Sequence, residues 1–299
     1  MKRREITKRV IVLPTLCAGV LLGGCGNDPA PKIVIANEPK QGISFVVPDL
    51  SLSMLWCPPG TFHMGSPENE GSRDLDEVRR EVTLTQGFWL GKHEVTQAQW
   101  EKIMGNNPSH FKGPSLPVEK MSWDGARTFC RKLTLCERKA GRLPQGWAYQ
   151  LPTEAQWEYA CRAGAQTAWS FGDSPKEISK YANFADKNSG LQGSEKEHDD
   201  GFEFTAPVGS YPANAWEFHE MHGNVFEWCS DWYDKPMPVA ARDPLGPLVG
   251  TERIFRGGSW ALPSVFTRSA RRDKNLPILE SGFLGFRLSL RLVQSRKQQ

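Results

Sequence analysis

No cysteine occurs after Cys229, and no two of the seven cysteines stand in a Cys-x-x-Cys spacing, so the sequence carries no such metal site. Charge of one sign is missing too. Lys and Arg number 37 against 34 Asp and Glu, and the net +3 is spread along the length without a basic stripe, which argues against a nucleic-acid partner. The uncharged run Ile11–Gly24 is too short to span a bilayer. With 39% hydrophobic and 24% charged residues and a mean hydropathy of -0.49, the chain beyond that run is a soluble globular one. Its length of about 240 residues suffices for one large core or two small ones. Eleven Trp, 28 Gly and 22 Pro point away from a helical bundle and toward an irregular, loop-rich α+β chain.

Met1–Val10 holds Lys2, Arg3, Arg4, Lys8 and Arg9 against one acid, and the uncharged run follows, the layout of an export signal. Leu21-Leu22-Gly23-Gly24-Cys25 resembles the lipobox of bacterial lipoproteins. That resemblance implies a signal peptide over 1–24 and a mature chain that begins at a lipidated Cys25, hung from the membrane of the cell envelope. Gly26 after the cysteine, rather than Asp, implies the outer membrane in a cell that has two. The alternative is an ordinary secretory signal with a cysteine near its cleavage site. Residues 26–42 are mostly polar with three prolines and read as a tether, placed over 25–51. A domain over 52–293 and a tail over 294–299 complete the chain. Once Cys17 is removed and Cys25 is lipidated, Cys57, Cys130, Cys136, Cys161 and Cys229 remain, an odd number that leaves at least one thiol unpaired.

Within the domain, Trp56 to Ser66 reads as a strand entering a turn, 67–80 as an exposed charged loop, and Glu81–Leu90 as an alternating strand. Thr96 caps a helix through Met104, with Gln99 completing a capping box. Ser122 caps an amphipathic helix over Gly125–Ala140, and Thr153, Gln156 and the stop at Gly164 frame another. His63, His93 and His110 lack an i, i+4 partner and are read as structural. The densest stretch is Glu220–Tyr233, where Gly223-Asn224 permits a left-handed turn that folds Glu220 and Glu227 back toward one point, with Phe226, Trp228 and Trp232 in the core. Two carboxylates without a lysine beside them either face solvent or hold a hard cation such as calcium.

The segments WCPPGTFHMGS, HEVTQAQW, PVEKMSWDGARTFC, LPTEAQWEYACRAG, GNVFEWCSDWY, RGGSW and GFR, in this order, resemble the formylglycine-generating enzyme (sulfatase-modifying factor) domain family over about residues 52–290. The resemblance implies the irregular, C-type-lectin-like α+β fold of that family, low in regular secondary structure and stabilised by calcium. One implied ligand set is Asn183 and Asp200 through side chains with Phe184 and Phe202 through carbonyls. The other is Glu220 and Glu227 through carboxylates with Gly223 and Val225 through carbonyls; Glu220 stands where a shorter Asn or Asp is usual. Family members oxidise a substrate cysteine with copper held by two cysteines just beyond Gly-Gly-Ser. Here Ala261–Arg272 contains none, so copper is not expected and no catalytic residue is assigned.

Three functions stay open: a non-oxidase binding domain for an envelope protein or glycan, a sulfatase-modifying oxidase, or an enzyme of another type using a groove near Ser259, Trp260, Arg268 and Arg271. Arg256, Arg268, Arg271 and Arg272 would form an anion-accepting lip, or else pair internally with acids such as Glu252 and Asp273.

Overall fold

Capping chemistry fixes the three helices. In α1 (Gln97–Met104) Thr96 accepts the Gln99 N–H and Gln99 returns a bond to the Thr96 N–H, the reciprocal box expected from sequence. In α2 (Trp123–Lys139) Ser122 accepts from Gly125, so the helix begins two residues earlier than the apolar pattern suggested. A second box, Thr153 with Gln156, opens α3 (Glu154–Arg162), which ends at Ala163 in a left-handed conformation ahead of Gly164. The computed structural model describes residues 39–234 and 240–293. The expected signal segment, Cys25, the first part of the tether and the tail lie outside these residues.

The strands form three sheets. The largest contains β1 (Phe45–Val47), β2 (Leu52–Cys57), β5 (Phe88–Gly91), β6 (Trp147–Gln150) and β12 (Ser289–Leu292), in the order β1-β2-β5-β12-β6. The last strand of the domain is thus inserted antiparallel between β5 and β6, with Leu290 opposite both Trp89 and Tyr149. Helix α2 covers β6 and packs on α1, and the core between them is built on Trp89, Trp100, Phe129, Trp147, Phe286 and Leu290. A four-stranded sheet orders β10 (Asp273–Asn275), β9 (Arg253–Arg256), β7 (Phe226–Trp232) and β11 (Leu284–Gly285). A three-stranded sheet joins β3 (Gly60–Met64), β4 (Arg80–Leu84) and β8 (Ala240–Arg242).

Three sequence expectations change. Glu81–Leu90 is not one strand: β4 and β5 belong to different sheets, and the chain crosses between them at Gly87, where a Cβ would lie 2.2 Å from the Trp56 ring. Phe45–Leu50, placed in the tether, instead starts the domain, with Val47 wholly buried and paired to Leu52. The 67–80 loop is not simply exposed either, because Asp76 and Glu77 are buried beneath it.

Candidate functional site

The first expected calcium set is brought together by one side chain. Asp200 accepts the Phe184 N–H at 2.8 Å and the Phe202 N–H at 2.9 Å, so it clamps the two residues whose carbonyls would complete the set. Burial pushes its carboxyl up to about 7, and the neighbouring Asp186 and Asp199 charges add to the effect. Asn183 donates through Nδ2 to the Phe204 carbonyl at 2.7 Å, while its Oδ1 is buried without a hydrogen-bond partner. An orphan amide oxygen beside crowded carboxylates is an arrangement that a hard, oxygen-seeking cation satisfies. The residues present therefore fit calcium.

The second set lies one turn away. Gly223 and Asn224 both have positive φ, as the sequence suggested, and a Cβ on Gly223 would sit 2.1 Å from the Asn183 carbonyl oxygen, so only glycine allows the two loops to touch. Glu220 and Glu227 then part company. Glu227 is fully buried, receives a two-pronged pair from Arg287 at 2.6 Å on each oxygen, and accepts Trp157 Nε1 at 2.7 Å. Glu220 reaches the other way, taking the Gly209 N–H at 2.9 Å on Oε1, with Oε2 at 3.3 Å from His93 Nδ1. No lysine stands beside these acids in the sequence, but the fold brings Arg287, from the distant GFR motif, onto Glu227.

Sequence reasoning missed Glu94. It is buried, accepts Asn224 Nδ2 at 3.0 Å through Oε1, and leaves Oε2 without a partner. Burial, with the Glu220 and Glu227 charges behind it, pushes its carboxyl well up. Three carboxylates thus face one guanidinium, and the orphan Glu94 oxygen makes this set, too, chemically suited to a cation. The dipeptide His-Glu occurs at 93–94 and again at 219–220, a signal that could have paired these segments.

The expected groove residues do not all line a surface. Ser259 and Arg268 are buried; the Arg268 guanidinium spans Glu77 at 2.7 and 2.8 Å and also meets Glu70 and the Ser72 carbonyl. Although burial alone would raise Glu77, Arg268 holds its carboxyl below the usual range. Arg271 pairs with Asp74 and Asp273, Arg256 with Glu154 and Glu158, and Arg272 with Glu154 and Asp76. Of the two acids proposed as partners, Asp273 serves. Of the four groove residues Trp260 and Arg271 stay partly accessible, Trp260 edge-on to Phe111 and Phe204. The arginine-lined depression lies elsewhere, a groove of about 680 Å³ bordered by Arg127, Arg131, Arg138, Trp123, Trp232 and Arg253. There the Arg253 guanidinium is layered 3.5 and 3.3 Å from the Trp123 and Trp232 ring centres.

All five cysteines among the described residues are free thiols, and only Cys136 is exposed. Burial pushes Cys130 and Cys161 up to about 12, so neither offers a thiolate. His222, which Cys161 approaches at 3.9 Å, is held neutral: burial pushes it down to about 4, its Nδ1–H donates to the Thr267 carbonyl at 2.8 Å, and Nε2 accepts from the Ser170 N–H at 3.1 Å.

The profile of the Sulfatase-modifying factor enzyme 1-like domain matches residues 48–292. The chain belongs to this family. The formylglycine-generating enzyme of Mus musculus is 29% identical, over 89% of this chain and 82% of its own length. The chaperone protein LppX of Paenibacillus barcinonensis is 32% identical, over 60% of this chain and 71% of its own. The solved structure of PvdO from Pseudomonas aeruginosa superposes with a TM-score of 0.70 at 27% identity, covering 85% of this chain and 100% of that one. The sulfatase-modifying factor fold seen here is α+β, mostly sheet with few helices, as the motif order implied. In this member the segment after Gly258 packs a half-buried Leu262 against the core and buries Thr267, which closes on Trp169 and the Ser264 carbonyl, with no thiol among them.

Proposed function

We propose that this chain is a non-oxidase member of the sulfatase-modifying factor family, an exported, lipid-anchored binding domain of the bacterial envelope. The observation that carries the reading is the thiol-free segment beyond Arg256-Gly257-Gly258-Ser259 together with the burial of Cys57, Cys130, Cys161 and Cys229, which leaves Cys136 on α2 as the one exposed thiol among the described residues. Cu(I) needs soft ligands, and no thiolate pair stands near that segment. The export and anchoring part rests on the sequence up to Cys25, and no helix among the described residues is long and apolar enough to cross a membrane. That a relative is named a chaperone protein supports action by binding.

The binding surface is the groove along α2, where Arg127 and Arg131 are exposed at one helical turn's spacing beside the layered Trp123, Arg253 and Trp232. Guanidinium groups there suit carboxylate-bearing chains. Calcium, held by Asn183, Phe184, Asp200 and Phe202, and by Glu94 with the Glu220 to Glu227 loop, stabilises the domain.

Three measurements test this. Incubated with copper, oxygen and a Cys-x-Pro-x-Arg peptide, the purified domain forms no aldehyde; copper-dependent aldehyde would restore the oxidase reading. Polyglutamate and polygalacturonate serve as protein-like and glycan-like probes, and the one that binds loses affinity with added salt and with Arg127→Ala/Arg131→Ala. Failure of both probes, or binding indifferent to that double variant, would remove the groove. Chelation lowers the melting temperature by several degrees, since a ligand at a hundredfold excess over Kd contributes about 2.7 kcal/mol. Asp200→Asn removes most of that difference, whereas an equal melting temperature with and without chelator would exclude calcium.

A further inference from the structure

His93 and His219 come from segments far apart in the chain, yet their rings lie 4.6 Å apart, tilted by 33°. Candidate ligand atoms of His93, His219 and Glu220 all fall within 4.8 Å of one another. The 3.3 Å between His93 Nδ1 and Glu220 Oε2 is long for a charge-assisted hydrogen bond. It equals the edge of a tetrahedron whose centre is about 2.0–2.1 Å from each ligand, the bond lengths of zinc to imidazole and carboxylate.

The surroundings fix each donor. His219 Nδ1 lies 2.8 Å from the Tyr211 carbonyl, so it carries the proton and leaves the lone pair on Nε2, the outer-shell bond that metal-binding histidines use. Glu220 is held in a left-handed conformation at φ 49°, with Oε1 fastened by the Gly209 and Tyr211 N–H groups, so that Oε2 is left to face His93. Arg287, which pairs with both oxygens of Glu227, hydrogen-bonds Glu220 only through its main-chain carbonyl, so the guanidinium does not occupy the Glu220 carboxylate. Gly209 keeps the space clear, since a Cβ there would lie 3.3 Å from His93 Cε1. His93 also lines a cavity of about 440 Å³ together with Glu94, Thr96, Gln99 and Val208, which gives an incoming ion a route to the site.

We propose that His93, His219 and Glu220 form a two-histidine, one-carboxylate site for a divalent transition metal, with zinc as its preferred ion. Two imidazoles select zinc, nickel or copper and do not favour calcium; the site shares Glu220 with the second, all-oxygen calcium set and uses its Oε2, the oxygen turned toward His93. Three protein ligands leave one position for water, as in zinc sites that act on a substrate.

The test is a titration of the chelator-stripped domain with Zn2+ in calcium-saturated buffer, followed by calorimetry, and with Co2+, followed by its visible absorption. One zinc binds per chain, and His93→Ala and His219→Ala each weaken it by at least about 100-fold, because loss of an outer-shell partner alone costs about 10–100-fold. His198→Ala, in the separate Glu195, Glu197, His198 cluster, leaves it unchanged. Absence of zinc binding, affinity that survives in folded histidine variants, or equal loss in His198→Ala would overturn the proposal. Should a variant fail to fold, zinc must protect His93 and His219 of the unaltered domain from acylation, and unprotected histidines would overturn it as well.

Discussion

Buried guanidinium groups are the constraint on which this backbone depends. Arg256, Arg268 and Arg287 are among its largest fully buried side chains, and each lies against carboxylates supplied by a distant segment. An uncompensated buried charge costs several kcal/mol, so each arginine makes sense only if its loop partners arrive. Arg268 draws in the 67–79 loop through Glu70 and Glu77, Arg256 ties β9 to α3 through Glu154 and Glu158, and Arg287 ties the last turn before β12 to β7 through Glu227. In a chain with few regular elements, these pairs do part of the work that ladders of backbone hydrogen bonds do in regular folds.

The same pairing redirects the functional reading. The arginines that follow the Gly-Gly-Ser motif are held by Glu70, Glu77, Asp74, Asp273 and Glu154, so they have no charge to spare for a ligand. Accessible positive charge lies instead along α2, on a face remote in sequence from that motif. Negative charge shows the reverse pattern. Around Asn183, Asp200, Glu94 and Glu220 carboxylates outnumber cations and leave orphan oxygens, which is where calcium and, on the histidine side of Glu220, zinc are assigned.

What the sequence disclosed was local. The capping boxes at Thr96 and Thr153 and the left-handed Gly223-Asn224 turn depend on residues within a few positions of each other. The motif order disclosed the family, and with it the α+β fold. Apart from the start of α2, the misses were long-range. The break inside Glu81–Leu90 follows from which sheet each half joins, the burial of Glu77 from an arginine that arrives at position 268, and the meeting of His93 with His219 from the packing of two loops. Periodicity carries no information about such partners.

A double-mutant cycle on Arg268 and Glu77 tests most directly whether the arginines beyond Gly-Gly-Ser are structural. Arg268→Met and Glu77→Leu should each lower unfolding stability by about 3–5 kcal/mol, because each strands a buried charge. The double variant should recover at least about 2 kcal/mol of the summed loss, the coupling of a contacting pair. Arg268→Met within about 0.5 kcal/mol of the unaltered domain, the range for an ordinary surface substitution, would show an arginine free to bind a ligand and contradict the account.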